Sequence, residues 1–336
     1  MPSFERDSNR IVIAGASSLL GAELKSLLEE SRFAGWDFRL VDEVAVAGTL
    51  TEAGGEPAVI QPVEEGSFDR AKFVFFSGSA EFTRRNLDGA KGGGAKIIDL
   101  SGGMAGDAGA FAWFPKLDVL LGRGFQGDAG VYAVPSAAAT AGATLALALS
   151  KCGVQRLAMV CFQPVSGAGR AGIEELENQT GQLLSFQNVG QPVFDTQVAF
   201  NMLDRFGVAS GQKLDAIRGR VRAETTACLE GKVATPAIQL IHAPVFYGTA
   251  FSAWAELDSN ADAGKIAKQC EDAGFALIAQ GEPGPNNVSA AGEHVIQLGR
   301  PEPDPLQVGS WWFWGAADNI RLPAWNAVKL AEKLAE

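Results

Sequence analysis

Much of what the chain has little of is side chains that carry reactions. Its 336 residues include two histidines and four cysteines. Cys152, Cys161, Cys228 and Cys270 lie far apart and form no CxxC pair. That argues against a zinc ribbon or a thioredoxin-type redox site, and no metal site is expected. Free, buried thiols in a reducing cytoplasm are the simpler reading, and a cytoplasmic location is expected. No apolar run is long enough to cross a bilayer. The opening MPSFERDSNR is polar and predicts no signal peptide. Positive charge is also scarce: 28 Lys and Arg against 39 Asp and Glu give a net charge of −11. This balance argues against nucleic acid or an anionic membrane as partner. No internal repeat is visible. The length suggests two domains, and the composition is that of a globular protein with a large core.

Local patterns give the order of elements. Residues 10–14 (RIVIA) predict a strand, followed by a glycine turn and a helix with Ala22, Leu24, Leu27 and Leu28 at helical spacing. Residues 38–41 predict a second strand. Residues 73–76 (FVFF) form a continuous apolar run, as in a parallel strand buried on both faces. A helix over 80–90, a strand over 96–100, a glycine-rich loop over 102–109 and a strand over 131–134 complete this half. Residues 137–151 then predict an Ala/Leu helix. Long β-rich runs follow over 157–165 and 237–257, with helices around 172–184 and over 214–229. Long strands with interposed helices imply an α+β second domain on a mostly antiparallel sheet. Residues 283–305 hold five prolines and predict surface loop. Residues 311–314 predict an aromatic strand, and 325–334 a closing helix. The domains are expected at 1–135, completed by 318–336, and at 136–317. The fold class is thus α/β: a Rossmann-type dinucleotide-binding domain plus an α+β domain.

The first turn runs Gly15-Ala16-Ser17-Ser18-Leu19-Leu20-Gly21. Gly15 permits a tight turn, Gly21 lets the helix pack on the sheet, and the helix N-terminus offers N–H groups to a pyrophosphate. The turn either binds a dinucleotide or is an α/β turn that binds nothing; the strand before it and the helix after it favour binding. Ser77 and Gly78, which follow the third strand, join the expected cofactor set. At the end of the second strand, Asp42 and Glu43 would repel a phosphate, and an acid there can accept a bond from a free ribose 2′-OH. NAD is therefore expected over NADP; the acids are otherwise simply solvated.

Residues 132–183 read YAVPSAAATAGATLALALSKCGVQRLAMVCFQPVSGAGRAGIEELENQTGQLL. This resembles the catalytic segment of aspartate-semialdehyde dehydrogenases, which reads NPNCST, an Ala/Leu-rich helix, then YQAVSGAGKAGIDELEEQT. The resemblance runs with gaps from Arg10 to the C-terminus. It implies a dinucleotide-binding domain followed by a dimerisation domain. The first turn departs from the family's GATGxVG at Ser17 and Ser18. The SxRS loop with which NADP-using relatives hold the 2′-phosphate is replaced by Glu43-Val44-Ala45-Val46.

In the resembled family a cysteine at a helix N-terminus is the nucleophile, its thiolate favoured by the helix dipole and a histidine. Ala137 stands in its place. Ser136 is one residue away and reads as an N-cap. Cys152 is at the far end of the same helix, about 21 Å away. Cys161 shares a strand face with Gln163, two residues on, and reads as a small core residue. Gln163 matches the family glutamine that positions cysteine and substrate, and Ser166-Gly167-Ala168-Gly169 matches too. The family's RVPVxxGHS becomes His242 through Ala250. His242 replaces the arginine that holds the substrate carboxylate, and Thr249 replaces the histidine that moves protons. His242 is a weak anion binder or, more simply, a satisfied half-buried histidine. The family's DNSSAFRM, with its phosphate arginine, becomes Asp99 through Ala105. His294 lies in a Gly/Pro-rich loop. Near the C-terminus, Asp318-Asn319-Ile320-Arg321 and Asn326-Ala327-Val328 resemble DNxRKGAAxNAV. Asn319 either approaches the nicotinamide or belongs to a helix that merely docks on the first domain.

These substitutions remove the nucleophile, the base and both substrate-binding arginines. They predict a dinucleotide-binding homologue without the family's thioester chemistry, acting in aspartate-family metabolism, with a small anionic metabolite as a second ligand class. The other readings are an active semialdehyde dehydrogenase using NAD(P) with relocated groups, and a structural oligomer that has lost the cofactor too. A homodimer through the second domain's sheet is expected, because the Gln163 segment lies near the dimer contact in the resembled family.

Overall fold

The computed structural model describes residues 9–53, 56–258 and 260–336. Residues 1–8, which carry most of the expectation of no signal peptide, lie outside them. The chain divides into two compact units. The first comprises Met1–Phe114, Phe125–Val134 and Ala324–Glu336; the second comprises Pro115–Gly124 and Pro135–Pro323.

In the first unit, β1 (Arg10–Ala14) leads through the glycine turn to α1 (Leu19–Glu29) and β2 (Asp37–Asp42). A hairpin of β3 (Leu50–Ala53) and β4 (Glu56–Val59) and a two-residue β5 (Gln61–Pro62) precede β6 (Phe73–Phe76). Then come α2 (Ala80–Gly92), β7 (Lys96–Asp99), β8 (Phe111–Ala112) and β9 (Val131–Ala133). Among the described residues seven strands form one sheet, ordered β5-β2-β1-β6-β7-β9-β8, with every pairing parallel. Ile11, Ile13, Phe73 and Phe75 join Leu24, Leu27 and Leu28 of α1 on one face. Val12, Val74 and Phe76 join Phe82 and Leu87 of α2 on the other. A strand covered on both faces must be apolar at every position, which is why FVFF reads as a strand. Each such side chain, fully buried, contributes roughly 1.5–3 kcal/mol. Strand order reverses at β1, whose neighbours are β2 and β6. The carboxyl ends of β1 and β6 therefore flank the crevice where ligands of such sheets bind.

The second unit holds α3 (Leu117–Leu121), α4 (Ala137–Ser150), β10 (Arg156–Gln163), α5 (Gly169–Leu184) and α6 (Leu214–Leu229). These are followed by β11 (Ala237–His242), β12 (Thr249–Glu256), α7 (Ala263–Ala273), β13 (Phe275–Leu277) and α8 (Asn287–Ala290). The last strands are β14 (Ile296–Leu298), β15 (Glu302–Pro303) and β16 (Ser310–Ala317). The sheet order is β11-β10-β12-β16-β14-β13, with β15 also on β16. Its middle is antiparallel, and the pairs at its two edges, β10 with β11 and β13 with β14, are parallel.

Residues 137–149 of α4 are all buried. Alanine, leucine and threonine without a charge let this helix be surrounded by protein on every side. It shares a core with Met159, Cys161, Leu240, Phe251, Ala253 and Phe313 on the inner face of the sheet. The outer face carries Val160, Phe162, Trp254, Trp312 and Trp314, none of them fully buried.

Three expectations are corrected. The run 237–257 is two strands, broken at 243–248 by Pro244 and by Gly248 with φ +82°. The proline-rich stretch 283–305 contains α8, β14 and β15, because its prolines fall between or at the edges of short pairings. Helix α7 and the β3–β4 hairpin add elements that local patterning does not reveal. The closing helix α9 (Arg321–Leu334) starts four residues earlier than expected. Asp318 accepts the N–H groups of Ile320 and Arg321 at 2.7 and 2.9 Å and so begins it. From Ala324 onward it belongs to the first unit, where Ala324, Ala327, Val328, Leu330 and Ala331 join the α1-side core. Among the described residues no helix is long and apolar enough to cross a membrane.

Candidate functional site

At the carboxyl end of β1, Gly15 has φ +92°, and a Cβ there would sit 2.2 Å from the Gly78 nitrogen. The two backbones thus meet with no room for a side chain. Ser77 Oγ donates to Gly15 O at 3.1 Å, and Ser18 Oγ donates to Ser77 O at 2.9 Å. Ser18 is the N-cap of α1 and accepts the Gly21 N–H at 2.8 Å. The Ser18 N–H goes to Gly15 O and that of Ala22 to Ser18 O. The first amides of a helix have no intrahelical acceptor. Among the described residues, those of Leu19 and Leu20 are the ones the turn leaves to a ligand. The expected cofactor residues Gly15, Ser17, Ser18, Leu19, Leu20, Gly21, Asp42, Ser77 and Gly78 therefore come together. Small residues, a helix N-terminus and two spare amides fit a pyrophosphate.

Asp42 is placed differently from the ribose contact expected of it. Its carboxylate is buried, 6% exposed, and turned onto the loop. It accepts the Ser17 N–H at 2.8 Å, the Ser17 hydroxyl at 2.6 Å and the Glu43 N–H at 2.8 Å. Glu43, one residue on, is half exposed and ion-paired with Arg85 of α2. Sequence reading missed Arg85, which no local signal links to Glu43, 42 residues away.

In the second unit, Ala137 opens α4 and is 2% exposed. Ser136 is the N-cap. Its N–H and hydroxyl both donate to Glu224 Oε2, at 3.0 and 2.5 Å, and Arg220 Nε donates to Glu224 Oε1 at 2.7 Å. Glu224 also escaped sequence reading. Its signal is an acid on the helix face that carries Val221, Thr225 and Cys228, all buried. All four thiols are free and buried. Burial pushes the thiols of Cys161 and Cys270 up to about 12, and raises those of Cys152 and Cys228 as well. A thiol held protonated is a poor nucleophile.

Gln163 ends β10 and His242 ends β11, opposite each other in parallel register. The Gln163 amide lies over Gly167, where a Cβ would fall 2.0 Å from its Nε2. His242 is fully buried, with Nε2 3.4 Å from Val198 O and the rings of Phe206 and Phe194 at 5.5 and 6.0 Å. Its Nδ1 is buried without a partner among the described residues. Burial holds its pKa below the usual histidine value, against the backbone carbonyls of Val198 and Gln163. Thr249 is buried at the start of β12, opposite Ala317. Asn319 accepts the Gly248 N–H at 2.8 Å, and its Nδ2 donates to Ser166 Oγ at 3.0 Å. Its side chain thereby ties the SGAG loop to the turn before β12.

A parallel nucleotide-type sheet with its glycine turn, joined to a mixed-sheet unit built around a buried Ala/Leu helix, defines a two-unit α/β chain with a Rossmann-type first unit. The chain belongs to the semialdehyde dehydrogenase family, whose dimerisation domain matches residues 145–322. It is 27% identical over 332 residues to the USG-1 protein homolog of Pseudomonas aeruginosa, covering 96% of this chain and 97% of that one. It is 26% identical over 329 residues to aspartate-semialdehyde dehydrogenase 2 of Vibrio cholerae, with the same coverage. Among solved structures, a probable aspartate-semialdehyde dehydrogenase from P. aeruginosa superposes with a TM-score of 0.85 at 26% identity, covering 97% of this chain and 98% of that one. Aspartate semialdehyde dehydrogenase II from V. cholerae gives 0.85 at 25% identity over the same shares.

Proposed function

We propose that the chain is an aspartate-semialdehyde-dehydrogenase-like, dinucleotide-binding protein of aspartate-family metabolism that does not perform the family's thioester dehydrogenation. The observation that carries this reading is the N-terminus of α4. The side chain there is the methyl group of Ala137, and the adjacent Ser136 hydroxyl is committed to Glu224. Thr249, at the position of the proton carrier, has no group that exchanges a proton near neutral pH. The buried, high-pKa thiols weigh against the other reading, an active dehydrogenase with relocated groups, because Cys161 would be its nucleophile.

A dinucleotide would be held by the amides of Leu19 and Leu20, against the side-chain-free approach of Gly15 to Gly78. When bound, it supplies a hydride donor or acceptor. The acid at Glu43 supports NAD over NADP. A small anionic metabolite is the second ligand class; Arg220, beside the α4 N-terminus and partly exposed, is the cation that supports it. The aromatic outer face of the second unit's sheet supports a homodimer. Free thiols throughout support a reducing, cytoplasmic location.

The test is an assay with aspartate semialdehyde, phosphate and NAD(P), beside titration with NADH. Binding is expected, with turnover lower than a relative's by roughly 10²–10⁴ or more, the usual contribution of acid–base catalysis alone. Turnover at a relative's rate would remove this reading.

A further inference from the structure

Resting on the dinucleotide reading above, we propose that Arg85 is a latent ligand for a ribose 2′-phosphate, masked by Glu43, and that this ion pair sets the choice between NAD and NADP.

The geometry links the pair to the phosphate cradle through three consecutive contacts within the first unit. Ser17 of the glycine turn donates twice to Asp42 at the end of β2. Asp42 in turn accepts the Glu43 N–H and fixes the backbone where the chain leaves the strand. Glu43 then meets Arg85 Nη2 at 2.5 Å. Arg85 comes from α2, which begins just after Ser77 and Gly78. The pair therefore stands at the carboxyl edge of the parallel sheet, on the β2 side of the crevice between β1 and β6. In a dinucleotide-binding sheet of this order, the side chain after the second strand meets the adenosine ribose. An acid there accepts the 2′-hydroxyl, and a nearby arginine accommodates a 2′-phosphate. This chain has both, locked to each other.

The burial of Asp42 makes the assignment sharper. Its carboxylate already accepts three bonds from the loop, so Asp42 serves the turn. Discrimination falls to Glu43 and Arg85, both about half exposed. While Glu43 is paired, the guanidinium is neutralised and the carboxylate repels a phosphate. Without the Glu43 charge, Arg85 presents a planar donor fork that suits a phosphate better than an ammonium does. An exposed pair contributes little to folding, so the variant remains folded.

The experiment is a fluorescence or calorimetric titration of the full chain with NADH and NADPH, at low and high salt. Three proteins are compared: the natural chain, Glu43→Gln, and Glu43→Gln combined with Arg85→Ala. The natural chain is expected to prefer NADH. Glu43→Gln is expected to tighten NADPH about tenfold or more, with a gain that shrinks at high salt, while NADH changes less than about threefold. Arg85→Ala in that background is expected to abolish the gain. If dinucleotide binds and Glu43→Gln leaves the NADPH to NADH ratio unchanged, or the gain survives loss of Arg85, the masking proposal is overturned and the dinucleotide reading stands. If none of the three proteins binds either nucleotide, the dinucleotide reading falls and the proposal with it.

Discussion

The hydroxyl of Ser136 donates a 2.5 Å hydrogen bond to the buried carboxylate of Glu224. Glu224 also takes the Ser136 N–H and the Arg220 Nε–H, so its contacts tie the entry of α4 to α6. By the sequence resemblance, this is the place expected to match the family's nucleophile. In this chain the local hydrogen bonds make a stop for a buried helix, with the only hydroxyl at its N-cap already engaged.

Removing the two partners separately should therefore cost different amounts. Ser136→Ala loses an N-cap and is expected to destabilise by about 1 kcal/mol. Glu224→Ala removes the buried carboxylate that accepts both the Ser136 amide and the Ser136 hydroxyl, and is expected to cost more, about 2–3 kcal/mol. Denaturant unfolding measures both. Equal, small losses would mean that Glu224 does not hold the helix entry.

The thiols give a second prediction. With every cysteine buried and its pKa raised, a thiol reagent near neutral pH should label none of the four until denaturant is added, when all four react. Ala137→Cys should add a fifth thiol that, at a position 2% exposed, also stays unlabelled until denaturant is added, although the α4 N-terminus favours its thiolate relative to the native four. Dehydrogenase activity is not expected to follow, because Thr249 still supplies no base. A count of labelled thiols by intact mass, with and without denaturant, decides the matter.

The fold was largely legible because its two signals are local. RIVIA and FVFF are apolar at consecutive positions, and the Ala/Leu run of α4 has no polar face. The site was legible only by position. Ala137 and Gln163 could be placed along the chain, but what surrounds them is set by residues remote in sequence: Glu224 for Ser136, Ser166 and Gly248 for Asn319, Arg85 for Glu43. Asp42 shows the same limit. Its acidity is evident, yet which way the carboxylate turns depends on Ser17, 25 residues earlier. Helix α7 escaped because only Ile266, Cys270 and Ala273 of its eleven residues are buried, too sparse an apolar stripe for a confident period.

The outer face of the second unit's sheet predicts an interface. Trp254 and Trp312 face each other across β12 and β16, and Phe162 lies 5.9 Å from Trp314 between ring centroids. Trp312 is 45% exposed in the single chain, a large aromatic surface for water to cover. Light scattering should find a dimer. Trp312→Lys should weaken it about 30-fold or more, as loss of a central aromatic costs 2 kcal/mol or above. A monomer for the natural chain would rule out this interface.

Stability should depend on pH through His242. Its folded pKa lies below the usual value because the ring is buried, and its Nδ1 has no partner among the described residues. On acidification the unfolded chain therefore takes up the imidazole proton first. Stability contributed by the neutral ring is fully present above the unfolded pKa near 6.5 and is lost as pH falls below it, toward the folded value. One such group gives a slope of at most about 1.4 kcal/mol per pH unit. Glu175 acts the other way. Burial raises its pKa, so its contribution is greatest at low pH and declines as pH rises through the folded value. The two are separated by comparing unfolding midpoints of the natural chain and His242→Gln at pH 7 and pH 5. The substitution keeps a polar side chain without a titrating proton, so the Glu175 contribution cancels in the difference. The natural chain is expected to lose more stability than the variant between those pH values. Identical losses would show that His242 carries its proton equally well folded and unfolded, and that its closed aromatic surroundings open to water.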